Sequence, residues 1–161
     1  MINQEFLQEC AEYVKNGGVL SGAVFTPVRI PSHKLIDVDP LDVENYLVKN
    51  RNLFFVQQLF RMIDKTGKKD SEVYKKARMD RRLFSKIRSS KEYIPAKKTV
   101  IALCLALELA REDTDTLLSS AGYSLSRAND FDLVVAFCIE KKVFDFININ
   151  ETLDHFGFEP F

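Results

Sequence analysis

Residues 69–90 read KDSEVYKKARMDRRLFSKIRSS, and two short helices separated by a break account for that pattern. Val73, Tyr74 and Ala77 recur at helical spacing and give the first helix, over 71–78, an inward side. Asp80 is a natural N-cap, because its carboxylate can accept a first-turn N–H that has no partner within the helix. The second helix then runs over 81–89, with Leu83 or Phe84 and Ile87 turned inward. Its other side carries Arg81, Arg82, Ser85, Lys86 and Arg88.

Working outward from this pair, the helical reading continues in both directions. Upstream, LFFVQQLFRMIDKTG (53–67) sets Phe55, Leu59, Met62 and Ile63 on one stripe and stops at Gly67. Downstream, KEYIP is a turn, since Pro95 biases Ile94 away from helix. The run KKTVIALCLALEL (97–109) is apolar on nearly all sides and predicts a central buried helix. A short helix over 113–121 ends at Gly122, Asn129 or Asp130 caps FDLVVAFCIEKK, and residues 145–156 form a last helix before Gly157. Asp113 and Asp115 read as helix-start charges.

The N-terminal third is less regular. Residues 2–16 place Phe6, Cys10, Tyr13 and Val14 at helical spacing, and Gly17-Gly18 stops the helix. The run GVLSGAVFTPVRIP is apolar and β-branched, and Gly22, Pro27 and Pro31 interrupt it. It predicts either a short β element at 19–30 or an extended arm over a helical core. Residues 31–39 are a linker, and Asp39-Pro40 opens a helix containing Val43, Tyr46 and Leu47. The expected fold class is all-α: an N-terminal helix, arm and linker over 1–50, a helical domain over 51–123, and a C-terminal helical extension over 124–161 packing on it.

Composition narrows the function. With 161 residues, 46% apolar and 29% charged, the chain has enough apolar content for a single core. No apolar run approaches the ~18 residues of a membrane span, and the N-terminus has no secretory pattern. Cys10, Cys104 and Cys138 form no close pair, which suits a reducing cytoplasm, and the middle one reads as core. His33 and His155 lack metal-ligand spacing. No nucleophile elbow, phosphate loop or dinucleotide fingerprint occurs, so no enzyme, cofactor or metal is expected.

The net charge of zero conceals a strong segregation. Residues 61–98 hold fourteen of the 23 Lys and Arg and five of the 23 Asp and Glu, a net of +9 balanced by −9 elsewhere. A basic block of this kind can raise positive potential over one face and attract a polyanion.

In order and spacing, the five helices over about 53–121 resemble the lambda-repressor-like, XRE-type helix-turn-helix domain. The carriers are a first helix ending at Gly67, the paired helices 71–78 and 81–89, and the loop KEYIPAKKT leading into a long Leu/Ala helix. The resemblance implies a small bacterial or phage-type transcriptional regulator whose second paired helix enters the major groove of double-stranded DNA. It assigns base contacts to Arg81, Arg82, Ser85 and Lys86, because an arginine fork can bond guanine O6 and N7 together. It assigns phosphate contacts to Lys68, Lys69, Lys75, Lys76, Arg88, Lys91, Lys97 and Lys98. Two residues depart from the family pattern. Tyr74 stands where a small residue is usual, and Arg78 stands where Gly is usual. Arg78 is expected to avoid a left-handed conformation through a reshaped turn, and Arg81 and Arg82 to be exposed without carboxylate partners.

Seven phenylalanines in residues 131–161 either complete the core or form a self-association surface that pairs two copies as a homodimer. Similar helical modules also serve as accessory parts, so the alternative is a non-enzymatic interaction module from a stress or defence locus, or an antitoxin, that kept the fold without sequence-specific DNA reading.

Overall fold

The computed structural model describes residues 4–15, 39–50, 54–90 and 93–161. Within these residues there are nine helices and no strand, so the protein is an all-α bundle. The β element expected at 19–30 and most of the 31–39 linker lie outside the described residues.

The helices are α1 (Gln4–Lys15), α2 (Pro40–Asn50), α3 (Phe55–Thr66), α4 (Asp70–Lys76), α5 (Arg81–Ser89), α6 (Lys97–Leu107), α7 (Arg111–Ser120), α8 (Asp130–Glu140) and α9 (Phe146–His155). Local chemistry sets their starts. Asp39 Oδ1 accepts the Leu41 N–H at 2.9 Å, Asp80 Oδ1 that of Arg82 at 2.6 Å, and Asn129 Oδ1 that of Asp132 at 3.1 Å. At α4 the Glu72 carboxylate reaches back to the Lys69 N–H at 2.9 Å, one half of a capping box.

The ends are less ordinary. Six described residues have left-handed backbone, and only Gly67, Gly122 and Gly157 are glycine. The others are Arg78 (φ 52°), Glu108 (φ 57°) and Lys142 (φ 57°). This overturns the expectation that Arg78 stays out of that region. The reason is the hydrogen-bond pattern it completes: Met79 N–H donates to the Tyr74 carbonyl at 2.9 Å and Arg78 N–H to that of Lys75 at 3.1 Å. These two bonds satisfy carbonyls that α4 would otherwise leave open, against a left-handed cost of roughly 1–2 kcal/mol. The Arg78 guanidinium also lies 5.8 Å from the centre of the Phe146 ring. Glu108 closes α6 in the same way, and the Leu109 N–H returns to the Cys104 carbonyl at 3.1 Å. That turn ends α6 two residues short of the apolar run and still buries Leu109.

Two helices are buried on all sides. Every residue from Val100 to Leu107 in α6 and from Asp132 to Ile139 in α8 is buried. A single buried cluster draws on α1 and on α3 to α9, so burial does not break at residue 123. Phe6 and Tyr13 of α1 close on Phe137 of α8 with ring centres 5.0 and 5.5 Å apart. All seven C-terminal phenylalanines belong to this core or pack against it. α2 differs: Pro40 to Lys49 are exposed throughout, and they include Leu41, Val43, Tyr46, Leu47 and Val48.

Candidate nucleic-acid interface

The Asp80 cap and the burial of Phe84 and Ile87 fix which side of α5 faces out. Residues three, four and seven apart share a helix face, so Arg81, Ser85 and Arg88 align, with Arg82 and Lys86 alongside. All five are exposed. A cleft of about 420 Å³ separates this face from α4, lined by Asp70 and Tyr74 on one side and by Arg81, Phe84, Ser85 and Arg88 on the other. Tyr74 is half-buried and tilted on Phe84 at 5.8 Å between ring centres, so the larger residue at this crossing is accommodated without full insertion.

The cations of the basic block fall into two groups. Among the described residues, Arg61, Lys69, Lys75, Arg78, Arg81 and Arg82 form no ion pair, and all six are exposed. Lys86 has no carboxylate partner either, but its ammonium stands 4.3 Å from the centre of the Tyr93 ring.

The second group is neutralised from within. Lys68 and Lys76 converge on Glu108: Lys68 Nζ lies 3.3 Å from Oε1 and also donates to the Ala106 carbonyl at 3.1 Å, while Lys76 bonds the same oxygen. The Lys76 and Lys68 ammonium groups hold the Glu108 carboxyl below its ordinary value of 4.5. Lys97 pairs with Asp132, which is 2% exposed and also accepts the Ser126 N–H at 2.8 Å. Lys98 lies 3.6 Å from the Glu159 carboxylate and donates to the Glu159 carbonyl at 3.2 Å. Arg88 pairs with Asp70, and its guanidinium lies 4.9 Å from the centre of the Phe60 ring. Lys91 is outside the described residues.

Thus α5 gathers all four residues assigned to base contacts on one side. Of the eight assigned to phosphate, Lys69 and Lys75 are the described ones without an ion-pair partner. The neutralising acids Glu108, Asp132 and Glu159 were missed from sequence, because each lies 32 or more positions from a cation it pairs with. Within the described residues no group of three His, Cys, Asp or Glu could hold a metal ion. The three cysteines are buried, and burial raises all three thiols, those of Cys10 and Cys138 to about 12. No helix of the described residues is long and apolar enough to cross a membrane.

Comparison with family models, curated proteins and solved structures finds no match for this chain.

Proposed function

We propose that the protein binds double-stranded DNA, acting in the cytoplasm as a small transcriptional regulator of bacterial or phage type that sets α5 into the major groove. The observation that carries this reading is the state of Arg81 and Arg82. Both are exposed at the N-terminal end of α5, and neither guanidinium fork is occupied by a carboxylate among the described residues. Six other cations of the same block, Lys65, Lys68, Lys76, Arg88, Lys97 and Lys98, are held in ion pairs. An open fork can address guanine edges, and an occupied one is a poorer reader. Lys69 and Lys75 flank the helix where phosphates would run, and Ser85 and Lys86 complete the face.

A second reading, a non-enzymatic interaction module, draws on α2. Five large apolar side chains stand exposed on this single helix, Val43, Tyr46 and Leu47 sharing one side of it, and exposed apolar surface of this kind suits a protein partner.

Titration of a fluorescent random-sequence duplex at several salt concentrations separates the two. DNA binding through these side chains requires affinity that falls steeply as salt rises. No binding at low salt, or binding indifferent to salt, overturns the DNA reading and leaves the interaction module.

A further inference from the structure

Among the described residues, Arg88 is the one cation of the α5 face that already has an anion. Its Nη1 donates to Asp70 Oδ2 across the cleft, and its guanidinium lies over the Phe60 ring. One contact grips an edge of the planar group and the other its face, which together hold it in a single orientation. The side chain is nevertheless 62% exposed, so burial is not what removes it from a ligand's reach. It shares its helix face with Ser85 and Arg81, three and seven positions earlier. Asp70 is the single carboxylate among the described residues lining this cleft, whose other ionised groups are Lys69, Arg81 and Arg88.

We infer that Asp70 is an internal phosphate mimic. Its carboxylate occupies, on the Arg88 guanidinium, the place that a DNA phosphate would take, and so excludes Arg88 from the DNA footprint. The inference rests on the DNA reading above and deepens it by naming the residue that limits phosphate affinity. A guanidinium bonds carboxylate and phosphate oxygens with the same donors, so the two anions compete for one group. Asp70 is covalently tethered beside Arg88, and a phosphate must arrive from solution against its negative charge. Because phosphates recur at every step of a duplex, this competition lowers affinity regardless of sequence.

The test is a double-mutant cycle on a random-sequence duplex, using the full chain. Asp70→Asn should tighten binding by roughly threefold or more at low salt and steepen the salt slope by about 0.9, the signature of one added phosphate contact. Arg88→Ala alone should change affinity little. In Asp70→Asn/Arg88→Ala the gain should vanish. Asp64→Asn, an equal charge change on α3 away from the cleft, controls for net charge, and thermal melting confirms that each variant is folded. The inference is overturned if the Asp70→Asn gain persists without Arg88, if Asp64→Asn produces the same gain, or if Arg88→Ala costs as much as Arg81→Ala. If neither the native chain nor Asp70→Asn binds duplex, the DNA reading falls and this inference with it. If the native chain binds and Asp70→Asn is no tighter, only this inference falls.

Discussion

The Lys97 ammonium lies 2.5 Å from a carboxylate oxygen of Asp132, a residue 35 positions away that is 2% exposed. This pair joins the start of α6 to the start of α8. Asp132 also receives the Ser126 N–H, so its buried charge has two donors. Removing one partner of a buried pair leaves the other uncompensated, which costs more than the pair contributes. Lys97→Ala is therefore expected to lower stability by roughly 2 kcal/mol, or about 4–8 °C in Tm, without altering DNA affinity. Calorimetry and duplex titration on the same variant check both halves. A loss of duplex affinity in a chain of unchanged Tm would return Lys97 to the interface.

The division of cations into paired and unpaired sets the electrostatic scale of binding. On a random-sequence duplex, where Arg81, Arg82 and Lys86 meet phosphate as Lys69 and Lys75 do, log K should fall with log salt at a slope of about −4.5. Lys75→Ala should flatten it by about 0.9, and adding Lys76→Ala should flatten it little further, because Lys76 is already held by Glu108. An equal step for the second substitution would place Lys76 among the phosphate contacts.

Arg81 and Arg82 should separate affinity from preference. On a duplex selected by the protein from a random pool, Arg81→Ala or Arg82→Ala is expected to cost about 1–3 kcal/mol, with a smaller loss on random sequence. Equal losses on both would make them phosphate contacts alone.

Glu108 combines a left-handed backbone with two lysine partners, and substitutions can separate these effects. Glu108→Ala keeps the strained backbone and loses both lysines, so it should destabilise by about 1 kcal/mol. Glu108→Gly loses the lysines but removes the strain, and should stay near the native stability. The acid side follows from the lowered carboxyl pKa. The folded state binds its proton less readily than the unfolded state, so the contribution is present above the ordinary value of 4.5 and fades as pH falls through the depressed one. Melting curves from neutral to acidic pH should show a shallower acid loss for Glu108→Gln than for the native chain.

Much of the fold was legible because its signals are local. Gly67, Gly122 and Gly157 stop helices where a left-handed residue is needed, and Asp39, Asp80 and Asn129 cap through side chains two or three positions from the bonded N–H. Arg78 and Glu108 were not legible as left-handed. Intrinsic preference opposes both, and what stabilises them is a hydrogen-bond closure together with a distant ring or lysine. The candidate site divides the same way. The outward face of α5 follows from helical spacing around Phe84 and Ile87. Which lysines are neutralised depends on where Glu108, Asp132 and Glu159 arrive after the chain has folded back, and no periodicity records that.

The contact between α1 and α8 bears on the order in which the chain can close. Tyr13 and Glu140 share a 2.9 Å hydrogen bond across 127 positions, and Phe6 and Tyr13 rest on Phe137. α1 is synthesised long before the surface that covers it. A lone twelve-residue helix is marginal in water, so until α8 emerges these aromatic rings have no fixed place to rest. A nascent chain halted before residue 130 would hold the whole basic block and still lack the α8 surface that covers Phe6 and Tyr13.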